Sequence, residues 1–414
     1  MTTEPRPAVD ALVAGAVFVA VAVAVTVTWQ LLDQAVTDIP LYRTYGERVA
    51  HGLVPYRDFP FEYPPGALPA LILPALVTDS LSAYRAVFEA ELAIVGAVGV
   101  VLAGEALRRL GRRGMERWLP LAFLAVAPAA LGGVILTRFD LLPATLVVGA
   151  VVLLVSGRER AAAAVVGLGI AVKLYPAVLV PLLAVGAWRR GGRRALASTL
   201  GLVAAPVVVA YLPFVVLAPD GVADSFGRQL GRPLQIESLG AGVLLGLHQA
   251  FDTTLEWSSG SGSQNLTGTA ADAVAVLLSA AQVAAVAAVW LAYARGPVGP
   301  ERLVRHAAAA VVAFVAFSKV LSPQFLVWVA FLVPLVGGAR VRAAVGLVAL
   351  ACALTALWFP ARYWDLVREF DPLASWLVLA RGATLVALLA VLTWPATERA
   401  PARSPTHAPI PDRT

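Results

Sequence analysis

Residues 161–188 read AAAAVVGLGIAVKLYPAVLVPLLAVGAW, an apolar stretch that Lys173 and Pro176 interrupt near its middle. Proline cannot donate to the helical hydrogen-bond ladder. Broken backbone at membrane depth is tolerated where it lines a cavity in the protein or one filled with water. The stretch therefore predicts two short membrane helices, 161–173 and 176–188, with a cavity at the break between them. Residues 303–338 repeat this arrangement, because Lys319-Val-Leu-Ser-Pro-Gln324 separates predicted helices at 303–318 and 324–338.

The rest of the chain has the same membrane character. Hydrophobic residues make up 59% of it and charged residues 14%, and apolar runs near the roughly 20 residues that span a bilayer recur along it. The net charge of +6 does not predict nucleic-acid binding, because the arginines form short clusters between apolar runs, which is a topology signal. One cysteine and four histidines without ligand spacing predict no disulfide framework, no metal site and no cofactor.

The arginine clusters predict the topology. They lie at residues 108–117, 158–160, 189–194, 295–305 and 340–342. Placing all of them in the cytoplasm predicts an all-α polytopic membrane protein of about twelve transmembrane helices. The predicted helices cover residues 11–30, 84–107, 118–137, 140–156, 161–173, 176–188, 195–217, 271–294, 303–318, 324–338, 342–359 and 374–394.

This map divides the chain into a membrane domain, residues 11–394, and two ends. Residues 1–10 are expected to be a cytoplasmic N-terminus before an uncleaved anchor helix, and residues 395–414 a disordered cytoplasmic tail. The acidic connections 31–83 and 219–270, and the shorter connection 360–373, are then predicted to lie on the outer side of the membrane. Residues 66–77 are apolar but too short to span comfortably, so they predict a juxtamembrane helix at the outer interface.

The first outer connection, residues 31–83, contains the segment that says most about the function of the chain. Between Thr37 and Gly66 it contains Asp38, Asp58 and Glu62, together with four tyrosines and five prolines. This composition suits a site that holds something polar against the membrane surface. The alternative is a solvated loop shaped by its prolines.

Cations at the outer helix ends complete the candidate site. Lys173 and Lys319 are the only lysines in the chain, and a lysine ammonium is a compact charge suited to a phosphate; the alternative is snorkelling to the interface. Arg138 and Asp140 occupy another turn that faces outward. They either form a local ion pair that closes the turn, or Arg138 joins the two lysines as a third cation. Arg228 and Arg232 in the second outer connection suit sugar hydroxyls or phosphate, or belong to a lid without ligand contacts.

Carboxylates facing cations at the membrane surface indicate a reaction on a lipid phosphate. A carboxylate would take the proton from an attacking hydroxyl, and the cations would stabilise the departing phosphate. Lysine and arginine can supply this positive charge without a metal.

The chain resembles glycosyltransferase family 87, whose members use polyprenyl-phosphate sugars and share the C-type membrane fold. The matching motifs are Asp38-Ile-Pro-Leu-Tyr42, Pro55-Tyr-Arg-Asp58, Glu62-Tyr-Pro-Pro-Gly66, Arg138-Phe-Asp-Leu-Leu-Pro143, Gly169-Ile-Ala-Val-Lys-Leu-Tyr-Pro176 and Ser318-Lys-Val-Leu-Ser-Pro-Gln324. The resemblance implies that Asp38 is the base toward the acceptor hydroxyl, with Asp58 as the second candidate. The expected substrate-binding residues are Lys173, Lys319, Arg138, Tyr42, Asp58, Glu62, Tyr63, Arg228, Arg232 and Gln324.

The resemblance implies a membrane glycosyltransferase without metal that transfers a sugar, with mannose favoured, from a polyprenyl phosphate to a lipid-linked or cell-envelope glycan, with inversion. Its partners would be these two substrates and membrane lipids, and its site would face the extracytoplasmic side of the cell membrane. A secondary transporter or flippase is the main alternative, because broken helices in similar pairs are also typical of transporters. A membrane scaffold would leave the paired lysine breaks unexplained.

Overall fold

The computed structural model describes residues 7–31 and 36–394. Within these residues the chain is almost entirely α-helical, which confirms the all-α polytopic fold. Of the described helical segments, six are long and apolar enough to cross a membrane by length and composition. Most of the predicted cytoplasmic N-terminus, residues 1–6, and the whole predicted tail, 395–414, lie outside the described residues.

The helices follow one another along the described chain with mostly short connections. They are α1 (Pro7–Leu31), α2 (Ile39–Ala50), α3 (Leu68–Val77), α4 (Leu81–Arg109), α5 (Met115–Leu131), α6 (Val134–Thr137), α7 (Leu141–Val155), α8 (Glu159–Val172), α9 (Val180–Leu217), α10 (Pro219–Leu230), α11 (Leu239–Phe251), α12 (Thr269–Arg295), α13 (Pro300–Ala316), α14 (Phe325–Leu332), α15 (Val341–Ala356), α16 (Tyr363–Glu369) and α17 (Pro372–Thr393). Non-helical backbone at Gly191 and Gly192 kinks α9 into two parts.

Each of the twelve predicted membrane segments contains a helix, and both lysine breaks form where the sequence predicts them. α8 ends at Val172, Lys173 adopts extended backbone, and a 3₁₀ segment at Tyr175–Leu179 leads into α9. Lys319 lies in the non-helical connection between α13 and α14. That all twelve segments cross the membrane stays a prediction.

The predicted single helix 118–137 is wrong. α5 ends at Leu131, and the short α6 follows after Gly132 and Gly133. The Trp29 ring takes the space beside these glycines, since a Cβ on Gly132 would lie 2.1 Å from it and a Cβ on Gly133 2.4 Å. Gly132 also has a φ of +66°, in the left-handed region that favours glycine. The break redirects the chain just before Arg138.

The arginine-rich connections gather at one end of the bundle, here called the arginine end. Arg112 pairs with Glu301, although 189 positions separate them in the chain. Arg189 donates to the backbone carbonyl of Gly296. Connections that are far apart in sequence therefore share one end, as the topology prediction requires.

The acidic connections gather at the opposite end, here called the loop end. Ser225 donates to the carbonyl oxygen of Phe61 over 3.0 Å, which joins the second long connection to the first. Lys319 Nζ donates to the carbonyl oxygen of Leu230 over 2.9 Å, which joins the second lysine break to the same group. The gathering of the arginine clusters at the other end agrees with the predicted topology. Which end faces the cytoplasm stays a prediction.

Two short helices and a small sheet build the loop end. α2 and α3 pack together, and α3 leaves Leu73 and Leu76 exposed, as expected for the predicted juxtamembrane helix. The sheet was not predicted: β1 (Leu234–Gln235), β2 (Glu256–Gly260) and β3 (Ser263–Thr267) pair antiparallel in the order β1-β3-β2. Its strands are too short to show a clear alternation of apolar and polar residues.

Single cysteines at the two ends of the bundle test the orientation. Ser258 at the loop end and Arg113 at the arginine end are both exposed. We expect a membrane-impermeant maleimide to label Ser258→Cys on intact cells and Arg113→Cys only after permeabilisation, because arginine-rich connections stay in the cytoplasm. Wild-type protein is the control, since the native Cys352 is buried. Labelling of Arg113→Cys on intact cells would reverse the assignment.

Candidate active site

Asp38 lies directly before α2 and forms an ion pair across the fold. Its Oδ2 lies 2.8 Å from Nε of Arg138. The Arg138 side chain is 7% exposed, whereas that of Asp38 is 32% exposed. The Asp38 carboxylate does not cap its own helix, so it is held by a buried cation and still reaches solvent.

A second ion pair lies two residues further along the same turn. Lys173 Nζ donates to Oδ1 of Asp140 over 2.7 Å, and Trp328 Nε1 donates to the same oxygen over 2.7 Å. Asp140 is 1% exposed. The local Arg138–Asp140 pair that the sequence left open does not form, because each residue pairs with another element. Lys173 is therefore already matched by a carboxylate.

Phe139 packs between the two ion pairs. Its ring centroid lies 4.6 Å from Lys173 Nζ, 4.9 Å from the Tyr63 ring and 5.6 Å from the Tyr42 ring. Tyr42 Oη also lies 3.4 Å from the carboxylate of Asp38. The structure thus brings both predicted tyrosines to the same turn as the ion pairs.

The segment that carries Tyr63 is fixed against the first lysine break. A Cβ on Gly66 would lie 2.5 Å from the carbonyl oxygen of Ala171, at the end of α8. Only glycine allows the two backbones to approach this closely. This contact explains why Tyr-Pro-Pro-Gly66 and the Lys173 break belong to one site.

Lys319 stands beside another cation. Its ammonium donates to the backbone carbonyl of Leu230 and has no carboxylate partner among the described residues. Burial lowers the pKa of Lys319, and the neighbouring Arg232 lowers it further. These two side chains are therefore better placed than Lys173 to receive an anion. Gln324 is partly buried directly before α14, on the same connection as Lys319.

Glu62 joins the first long connection to this cationic region. Burial raises the pKa of its carboxyl, while Arg232 and Arg228 lower it and Asp38 raises it. Gln229 donates to the Glu62 carbonyl oxygen over 3.2 Å. Glu62 and the two predicted arginines of the second connection therefore lie near one another, with Arg228 the more exposed of the two.

Asp58 is not brought into this group. It is exposed, pairs bidentately with its neighbour Arg57 at 2.9 Å, and accepts the backbone N–H of Val54 over 2.7 Å. The Arg57 hydrogen bonds lower the pKa of Asp58 to about 2. These contacts close a local turn.

The comparison with known families decides between the alternatives. The sequence model of glycosyltransferase family 87 matches residues 61–323, more than half of the chain. The chain belongs to glycosyltransferase family 87. It is therefore a membrane glycosyltransferase and not the transporter or scaffold that the sequence left as alternatives. No curated protein matches the chain.

The family 87 match covers Arg138, Lys173 and Arg232 and ends just beyond Lys319. It begins after Asp38, so the proposed base lies outside the matched region. The Asp38–Arg138 ion pair connects this earlier segment to the matched part of the chain.

A cavity opens between two of the long apolar helices of this family 87 protein. It has a volume of about 700 Å³ and lies between the ends of α1 and α4 that are nearer the loops. Its lining is largely apolar, and among its polar residues Gln30 and Arg85 both donate to the carboxylate of Glu89. Leu136, two positions before Arg138, forms part of its wall.

Sequence reasoning missed a buried polar group at the loop end. Glu237 and Gln235 are each 2% exposed, and the Gln235 amide donates to Glu237 Oε2. Arg381 of α17 is fully buried and donates to the backbone carbonyl of Glu237. An arginine inside an apolar helix was the signal in the sequence, because ionisable residues in such segments are usually functional.

Replacing Lys173 tests whether its first role is to neutralise Asp140. Lys173→Met leaves a buried carboxylate unpaired, and breaking a buried pair in this way costs about 3–5 kcal/mol. Adding Asp140→Asn removes the second charge and keeps an acceptor for Trp328, so most of this stability should return. Thermal unfolding in detergent measures both effects.

Lys319→Met is the matched control, because its ammonium bonds to a backbone carbonyl and not to a buried carboxylate. We expect a smaller loss of stability than for Lys173→Met. Equal unfolding temperatures for Lys173→Met and the double variant would contradict the role of Asp140.

Glu237 should make stability depend on pH. Burial raises the pKa of its carboxyl from 4.5 to about 7, against the lowering effects of Arg381, the Gln235 hydrogen bond, Arg138 and Arg232. Between these values the folded state binds more protons than the unfolded state, so the free energy of unfolding falls as pH rises. Below and above this window the contribution is constant.

The difference in unfolding temperature between wild type and Glu237→Gln isolates this carboxyl from other groups. We expect wild type to lose stability relative to the variant as pH rises from 4.5 to about 7. A difference that stays flat across this window would show that Glu237 titrates at its ordinary value.

Proposed function

We propose that this family 87 enzyme transfers a sugar from a polyprenyl phosphate to a hydroxyl of a lipid-linked or cell-envelope glycan. The observation that carries the proposal is the partly exposed Asp38 carboxylate, fixed by buried Arg138 at the end of the bundle where both lysine breaks lie. A base for the hydroxyl and cations for a phosphate are thus available at one site.

Asp38 would act as the general base. The ion pair with Arg138 orients its carboxylate, and its exposure leaves room for an incoming hydroxyl. As the acceptor oxygen forms its bond to the anomeric carbon, its proton passes to Asp38. The bond between that carbon and the phosphate oxygen breaks, and its electron pair leaves with the phosphate.

Lys319 and Arg232 would receive the donor phosphate. They are neighbouring cations, and Lys319 has no carboxylate partner among the described residues. Lys173 would contribute less charge, because Asp140 already neutralises it, and would instead fix the Phe139 turn. Charge-assisted bonds from lysine and arginine stabilise the negative charge that develops on the leaving group.

The cavity between α1 and α4 supports a lipid as the carrier of the sugar. It lies between helices long enough to span the membrane, and it reaches Leu136, close in the chain to Arg138. A hydrocarbon chain would suit its apolar wall. A polyprenyl tail in this groove would bring the attached phosphate near the loop end.

We further propose the stereochemistry, the sugar and the side of the membrane. A single displacement by the acceptor inverts the anomeric carbon, and mannose is the sugar that the family resemblance implies. The positive-inside bias favours an extracytoplasmic loop end, since the arginines gather at the other end. Lysine and arginine supply the positive charge, so the proposed reaction uses no metal.

Replacing the proposed base tests this mechanism. Asp38→Asn keeps the shape of the side chain but removes the proton acceptor, and loss of a general base lowers the rate by about 10²–10⁴-fold. Donor binding should persist. The measurement is transfer from polyprenyl-phosphate sugars to lipid-linked glycans by purified protein.

Asp58→Asn is the matched control, because Asp58 is exposed and closes a local turn with Arg57. It should keep transfer near the wild-type rate. Near-normal turnover in Asp38→Asn, with loss in Asp58→Asn, would move the base to Asp58.

A further inference from the structure

Several polar atoms are buried without a hydrogen-bond partner in one group of side chains at the loop end. They are Glu237 Oε1, Gln235 Oε1, Trp358 Nε1, Arg381 Nε and Arg381 Nη1. Trp358 and Arg381 are fully buried, and Gln235 and Glu237 are each 2% exposed. We call these four residues the buried polar group.

The group is continuous. The Gln235 amide donates to Glu237, and Arg381 donates to the Glu237 backbone carbonyl. The guanidinium of Arg381 lies 5.8 Å from the centre of the Trp358 ring. Such a concentration of buried, unsatisfied donors and acceptors is unusual in proteins and destabilises the fold unless something else satisfies it.

The unpartnered atoms form a mixed set. Glu237 and Gln235 each offer an acceptor oxygen, while Trp358 and Arg381 offer N–H donors. A phosphate would need donors alone, and an apolar chain would need neither. Hydroxyl groups both donate and accept, so a sugar with several hydroxyls matches this set.

The buried polar group also lies near the charged residues that a transferred sugar would have to approach. Arg138, which holds Asp38, and Arg232, which neighbours Lys319, both lower the pKa of Glu237. Burial raises the pKa of Tyr363, and Glu237 and Asp38 raise it further. Glu237 therefore lies within electrostatic reach of Arg138, the partner of the proposed base, and of Arg232, one of the proposed phosphate cations.

Backbone contacts fix this neighbourhood. The Gln235 N–H donates to the carbonyl oxygen of Lys319 over 2.9 Å, and the Gln235 amide donates to Ser322 Oγ over 2.9 Å. The segment at 235–237 thus lies directly against the connection that carries Lys319. In a single displacement the sugar lies between the base and the leaving phosphate, so a sugar subsite has to adjoin the phosphate cations, as this segment adjoins the connection of Lys319.

We infer that the buried polar group, Gln235, Glu237, Trp358 and Arg381, is the subsite that binds the hydroxyls of the transferred sugar. The inference rests on the proposed function, because it takes a polyprenyl-phosphate sugar as the donor. Glu237 supplies the acceptor oxygen that distinguishes a sugar-bearing lipid from the bare lipid phosphate.

Binding of two kinds of lipid to the purified protein tests this subsite. The probes are bare polyprenyl phosphate and polyprenyl phosphate carrying mannose, glucose or galactose. Glu237→Leu should lower affinity for the best-bound sugar lipid by about tenfold, the loss expected for a hydrogen bond to a charged group, and should change affinity for the bare lipid by less than about twofold. Arg381 keeps its backbone partner in this variant and Gln235 keeps Ser322.

Two further variants sharpen the result. Glu237→Gln preserves shape and should give an intermediate loss, so a folding defect in Glu237→Leu does not prevent the test. Lys319→Met should weaken the bare lipid and the sugar lipids by the same factor, because it acts on the phosphate.

The possible outcomes separate the two proposals. If wild type binds the bare lipid but neither Glu237 variant discriminates against the sugar lipids, the subsite is wrong and water satisfies the buried group. If wild type binds no polyprenyl phosphate of any kind, the proposed donor is wrong, and the subsite assignment falls with it.

Discussion

The structure depends on one turn, Arg138-Phe139-Asp140, whose two charged residues pair outward to different elements. Arg138 holds Asp38 before α2, and Asp140 holds Lys173 after α8. Both Arg138 and Asp140 are buried, so loss of either partner would leave an uncompensated charge away from water. Two segments that are distant in sequence are therefore fixed to one turn by electrostatics, and Phe139 packs between them.

These two ion pairs also give the cations of the loop end different roles. Positive charge that is already matched inside the fold gives a ligand little new attraction, whereas unmatched charge near solvent does. Lys173 and Arg138 form ion pairs with carboxylates, whereas Lys319 has no carboxylate partner among the described residues and lies near Arg232. The loop end thus combines fixed pairs that define geometry with cations that remain available to an anion.

Much of this architecture could be predicted from the sequence, because hydropathy and arginine clusters report directly on membrane helices. The lysine breaks and the short helix after Gly66 followed from the same signals. The partners of the charges could not be read in this way, since the Arg138–Asp38 and Lys173–Asp140 contacts depend on packing between distant segments. Glu237 was present in the sequence, but only the fold shows that it is buried beside Arg381. The short sheet likewise depends on long-range pairing.

The contact between Trp29 and the two glycines before α6 limits which residues these three positions can hold. No side chain fits at Gly132 or Gly133 while the indole is present, and the left-handed backbone of Gly132 disfavours other residues even without it. Trp29 is not one of the proposed catalytic or substrate-binding residues, yet its bulk determines where the segment bearing Arg138 begins. These three positions should therefore vary together among related sequences, as one covarying unit outside the reaction chemistry.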